Sequence, residues 1–195
     1  MGRVAAGTGS ADMCEHCGCR GVPPIAELMD EHYALLDDAH LVRRALAAGD
    51  RAEAAVHLGR LVGHLDQHVR KEERGLFTAL RDSGEFVEEV DQLEGEHRAF
   101  DARVETLDPA HPRFEEIVAD LLRELDEHIE RENLGVFPAS VVTLGSHGWN
   151  LVEDARVAEP SFLTSAAAAT TADRAADTIP DTTTGRDGRP LEERN

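Results

Sequence analysis

Residues 65–79 and 125–139 are two versions of one segment, LDQHVRKEERGLFTA and LDEHIERENLGVFPA, sixty positions apart. Each holds a His and a Glu at i and i+4, His68 with Glu72 and His128 with Glu132, so the two side chains project from one helix face a turn apart. That face is also the apolar one. Leu61, Leu65, His68, Glu72 and Leu76 step by 4, 3, 4 and 4 residues, and Leu121, Leu125, His128, Glu132 and Val136 repeat the same intervals. A weaker echo joins Glu31-His32 to Glu96-His97, so the chain reads as a duplicated helical pair.

The rest of the pattern agrees. Ile25, Leu28, Met29, Tyr33, Leu35 and Leu36 mark a first helix between Pro23-Pro24 and Gly49-Asp50. Asp50 can cap a second helix that ends at Asp82-Ser83-Gly84, and a third runs from near Glu85 to Leu107. After the turn Asp108-Pro109-Ala110-His111-Pro112, the fourth reaches Pro138 or slightly beyond, where the ring must end or kink it. Nothing alternates with period two. The expected fold is all-α, an up-down-up-down four-helix bundle over residues 23–155, with a candidate short fifth helix around Trp149-Asn150-Leu151-Val152. Residues 1–22 form an N-terminal arm with a Cys cluster. Residues 156–195 turn to Ala, Thr, Asp and Arg, and are expected to be a disordered tail.

The net charge is −19, from 39 acidic against 20 basic residues. The tail holds five Arg against seven Asp and Glu, so −17 falls on the first 155 residues and the acidity belongs to the bundle. Such a surface repels nucleic acid and anionic membranes. No stretch approaches the ~18 apolar residues of a membrane span. The opening MGRVAAGTGS lacks the apolar core of a secretory signal, and a cytoplasmic protein is the expectation, with Met13 as its native start. Cys14, Cys17 and Cys19 crowd around His16 at spacings too tight for a disulfide framework. They read as a candidate Zn site, a redox-reactive thiol, or a site shared between chains. Six residues are too few to wrap four donors around one ion, so a complete Zn site needs an Asp or a second chain.

An unpaired ionised carboxylate inside a bundle is paired, protonated or given a metal. No Lys or Arg lies on the stripes of Glu72 and Glu132. His32 follows Leu28 and Met29 on the inner side of the first helix, and His97 follows Leu93 on the third. Four His and two Glu suit two metals, each taking two imidazoles and sharing both carboxylates, with a solvent-derived bridge and an open position for a small ligand. Imidazole with carboxylate fits Fe, Mn, Co or Zn, and redox chemistry with O₂, peroxide or NO selects iron. Buried His–Glu ion pairs that merely hold the helices together are the competing reading, and apolar residues do that at less desolvation cost.

His32, His68-x3-Glu72, His97 and His128-x3-Glu132 together resemble the hemerythrin-like HHE cation-binding family, over about residues 24–142. The resemblance implies a non-haem di-iron centre with Glu72 and Glu132 bridging and the four His as terminal ligands. The chain departs from the invertebrate oxygen carriers, which have an additional His and a His-x4-Asp ending, where here Glu132 is followed by Asn133. It is similar instead to the four-His bacterial members, whose resemblance implies binding of or reaction with O₂, peroxide or NO in oxidative or nitrosative stress. Catalase-like peroxide decomposition or NO handling is the enzymatic version. The alternatives are a non-catalytic O₂ or iron sensor, and a structural bundle with an incidental metal. The Cys cluster resembles the Cys-x2-Cys-x-Cys start of some bacterial members. His64, a turn before His68, is a candidate fifth ligand or supporting group, although a solvated or core His is the commoner outcome. Tyr33, about 100° around the helix from His32, is a candidate donor to a bound oxygen species or a packing residue. His40, His111 and His147 read as surface or turn residues.

Overall fold

The computed structural model describes residues 18–164. Helix α1 spans Pro23–Ala47, and its two prolines sit in the first turn, where a missing N–H costs nothing. Gly49 (φ +74°) takes the left-handed conformation that ends α1, and Asp50 then accepts a hydrogen bond from Glu53 N at 2.9 Å to start α2, Arg51–Glu72. A π-helical turn, Glu73–Phe77, joins α2 to α3, Thr78–Ser83, which stops at Gly84 (φ +77°). Helix α4 is Val87–Glu105. The expected turn follows, tightened by Asp108 Oδ1 accepting from Ala110 N at 2.8 Å, and leads to α5, Phe114–Arg131. A second π-helical turn, Glu132–Val136, continues into α6, Phe137–Thr143.

The four long arms (α1, α2–α3, α4 and α5–α6) form the up-down-up-down bundle, and there is no strand among the described residues. Pro138 neither ends nor visibly breaks the fourth arm. It falls in the first turn of α6, after the π-turn has already shifted the hydrogen-bond register, so its absent N–H and its ring are accommodated. The expected fifth helix exists and is longer than its signal, α7 spanning Ser146–Ala158. It lies against the first π-turn at Gly75, where a Cβ would come within 2.8 Å of Ala155 Cβ and 3.3 Å of Val152 Cα.

The bundle runs past the expected boundary at 155, with α7 continuing to Ala158. The bundle unit ends at Leu163, because Phe162 is buried in the core and Ser161 is buried beside it. An isolated Phe in a polar run has no periodicity to announce it. The later tail, Met13, Cys14, His16 and Cys17 lie outside the described residues. Among the described residues, no helix is long and apolar enough to cross a membrane.

The bundle interior has two apolar cores. One gathers Leu35, Leu58, Leu61, Leu65, Phe100, Leu121, Leu122 and Leu125. The other gathers Ile25, Leu28, Met29, Leu76, Phe77, Leu93, Val136 and Phe137. On each arm the His or His–Glu positions fall between residues of the first core and residues of the second, so the polar groups form a layer between them. Apolar packing above and below fixes that layer.

Candidate metal centre

Among the described residues, eleven buried polar or charged side chains interrupt the apolar interior, and His32, His68, Glu72, His97, His128 and Glu132 are six of them. Their donor atoms fall into two quartets, His32, His68, Glu72 and Glu132, and Glu72, His97, His128 and Glu132. Within each quartet the atoms lie within 4.8 Å of one another, and both glutamates belong to both. Donors about 2.1 Å from a shared ion stand roughly 3–4 Å apart, so the spacing is that of a coordination shell.

The polar accounting makes the same point. His32 Nε2, His68 Nε2 and all four oxygens of Glu72 and Glu132 are buried without a hydrogen-bond partner. Glu132 Oε2 lies 3.2 Å from His32 Nε2, and its Oε1 3.0 Å from His128 Nε2, yet neither approach has hydrogen-bond alignment. His97 Nε2 and His128 Nε2 face each other at 2.9 Å. Buried polar atoms are nearly always satisfied, and six orphans converging on one layer call for a missing cation.

The outer nitrogen of every ring is held. His68 Nδ1 donates to Glu31 Oε2 at 2.9 Å, and His128 Nδ1 to Glu96 Oε2 at 2.8 Å. His97 Nδ1 donates to Glu73 Oε1 at 2.9 Å, and His32 Nδ1 to Asn133 Oδ1 at 3.0 Å. A ring that donates from Nδ1 offers the lone pair of Nε2 inward, the tautomer a metal requires. Phe137 stacks on His32 with ring centres 5.3 Å apart, and Phe77 on His97 at 5.9 Å, which restrains both rings further.

These supporting groups obey the duplication. The Glu just before His32 supports the His of the second arm, and the Glu just before His97 supports the His of the fourth. The residue after Glu72 supports His97, and the residue after Glu132 supports His32. Phe77 and Phe137 are also repeat positions. Periodicity identified the inward stripe but passed over Glu31, Glu73, Glu96 and Asn133, which stand one residue off it and bond across to another helix. The Glu31-His32 and Glu96-His97 echo was the available signal.

Charge in the layer follows from burial and neighbours. Burial pushes the Glu72 carboxyl well above the ordinary 4.5, and the facing Glu132 pushes it further. Burial acts on Glu132 in the same sense, but the adjacent His128 and His32 outweigh it and hold that carboxyl low. Burial and repulsion from His32 bring His68 down to about 4 against the pull of Glu31. Burial alone would raise Glu31, yet its contacts with His68, Lys71 and Ser161 carry it to about 2. No base lies on the stripes themselves, as expected, but the adjoining Lys71 is buried and binds Glu31 and, at 2.7 Å, Glu27. Its long stem reaches from the flank of the stripe.

The accessory candidates fall outside the cage. Tyr33 is exposed, with the Arg20 guanidinium 5.6 Å from its ring centre, because position 33 turns away from the interior. His64 is half-buried, bonds Asp38 Oδ2 at 2.7 Å and stacks on Phe162 at 4.4 Å, so it braces α1, α2 and the chain after α7. Cys19 is fully buried and disulfide-bonded. In that state it offers no thiolate to zinc or to an oxidant. His40, His111 and His147 are exposed.

Fold and cage together define a helical-bundle cation-binding domain. Residues 23–140, more than half of the chain, match the family model of the hemerythrin HHE cation-binding domain, and the chain belongs to that family. No curated protein and no solved structure matches it.

Proposed function

We propose that this chain is a non-haem di-iron protein that binds or reacts with O₂, peroxide or NO in the response to oxidative or nitrosative stress. One observation carries the reading. Glu72 and Glu132 are common to both quartets and none of their oxygens has a hydrogen-bond partner, the disposition of two carboxylates shared between two ions. His32 and His68 would hold one ion, and His97 and His128 the other. Iron, when bound, supplies two adjacent one-electron centres suited to small oxygen and nitrogen oxides.

The protein's part is positioning. Each imidazole is locked in tautomer and direction by its Nδ1 acceptor, which also raises its basicity as a ligand. The apolar cores on either side exclude bulk water and keep the local dielectric low. Lys71 compensates the charge of Glu31, so the support of His68 stays ionised in the interior.

The absorption spectrum of protein produced with iron, before and after O₂, peroxide and NO, tests the proposal. Charge-transfer bands of a bridged ferric pair that respond to one of these ligands are expected, and a spectrum of isolated iron or of no iron overturns it. Steady oxygen evolution from peroxide then distinguishes turnover from binding alone.

A further inference from the structure

We infer that the cage is entered from one side: a small uncharged ligand reaches the His97–His128 position through a cleft between α4 and α5, while the His32–His68 position is closed by the chain that follows α7. The inference rests on the reading of the cage as a metal centre.

A cavity of about 260 Å³ opens onto the His97 and His128 rings, with Leu65, Val69, Phe100 and Leu125 among its walls. One water needs roughly 10–15 Å³ by the same kind of measure, so the space admits a molecule of several atoms without rearrangement. His97 and His128 are each 6% exposed, against 1% and 2% for His32 and His68. Covering explains the contrast. Beyond α7, Glu159 pairs with Arg70 and Arg74, Ser161 is buried and bonds Glu31, and Phe162 fills the core against His64. The support of His68 is thus sealed by the segment that the sequence pattern assigned to the tail.

The cleft also selects by charge. Its rim carries Glu96, Asp101, Glu124 and Glu127, while its Arg131 is engaged by Glu96 at 2.6 Å. A negative rim over an apolar wall repels anions and leaves neutral O₂, NO or hydrogen peroxide free to enter.

The test uses the full iron-loaded chain, reduced without oxygen and mixed with NO in a stopped-flow spectrometer. Ala99, exposed at the cleft two residues beyond His97 and offering no donor atom of its own, is changed to Trp. Ala99→Trp is expected to slow NO association at least about tenfold with unchanged iron content, because the indole must move before the ligand passes. Val69→Phe narrows the same cleft from α2 and is expected to act alike. Phe162→Ala opens the covered side and is expected to leave the rate as in the parent, with Phe162→Leu as the milder version should the fold suffer. Azide association is expected to speed up with added salt as the rim is screened. In metal-free crystals under xenon pressure, xenon is expected in the α4–α5 cleft and not beside His68.

Parental NO rates in both cleft variants, a faster rate in Phe162→Ala or Phe162→Leu, azide association unmoved or slowed by salt, or xenon only beside His68 would each overturn the inference. A parent chain that takes up no iron overturns the metal reading itself and this route with it. Iron uptake with parental rates in the cleft variants overturns the route alone.

Discussion

Glu72→Met in the metal-free protein separates a metal cage from a structural ion-pair cluster. Both Glu72 oxygens are buried and unbonded, and burial with the facing Glu132 drives the carboxyl well above its ordinary pKa. Such a group strains the fold whenever no cation is present. Met has similar volume and no polar atom, so the replacement removes an unsatisfied group worth about 1–3 kcal/mol at little packing cost. For a chain of this size 1 kcal/mol moves Tm by roughly 2–4 °C, so chelator-treated Glu72→Met is expected to melt roughly 2–12 °C above the chelated parent. The pH dependence has a definite sign. A carboxyl with a raised folded pKa binds its proton more tightly in the folded state, so its contribution favours folding in acid. That contribution is lost as pH rises from 4.5 through the raised value. The parent is expected to lose stability over that interval, and the variant to lose less. Thermal unfolding by circular dichroism at several pH values, with metal analysis of untreated samples, reads both effects. A chelated Glu72→Met that melts below the chelated parent would refute the reasoning, because Glu72 would then be holding helices together.

Other perturbations have equally definite outcomes. His68→Ala is expected to cost the ion shared with His32 and His128→Ala the ion shared with His97, and the double variant to retain no stoichiometric metal by elemental analysis. Glu31→Gln keeps an acceptor for His68 but loses the charge, and competition with a chelator is expected to show metal affinity about 10–100-fold lower. Gly75→Ala is expected to destabilise by about 1–3 kcal/mol in denaturant unfolding, since its Cβ would meet Ala155 Cβ at 2.8 Å. Gly135→Ala, the repeat counterpart with nothing within 4 Å, is expected to be neutral or to stabilise by up to about 1 kcal/mol.

The residues that declare themselves in sequence are those whose role repeats along one helix. His68 with Glu72 and His128 with Glu132 share a stripe with Leu65 and Leu125, and that coincidence alone places two carboxylates in the interior. His32 and His97 needed the weaker echo between the first and third helices. The groups that aim the ligands were hidden because each acts across the bundle. Glu73 and Asn133 differ chemically yet serve equivalent rings, so no motif search joins them. The two π-helical turns were hidden too. They begin at or just after the cage glutamates and are marked only by the glycines at 75 and 135, which in an ordinary helix would read as weak positions. Phe162 lay in a stretch whose composition argued for a tail, and one aromatic anchor reversed that locally. Lys71 and the Cys19 disulfide escaped because side-chain reach and cysteine pairing are not periodic properties.

The central claim is that two ions share Glu72 and Glu132, and a crystal of metal-reconstituted protein measured at the iron absorption edge tests it most directly. Two anomalous peaks about 3.5–4 Å apart are predicted, one against His32 and His68, the other against His97 and His128, with both glutamates between them. A single peak, or none with Glu132 hydrogen-bonded directly to His32 and His128, would contradict it.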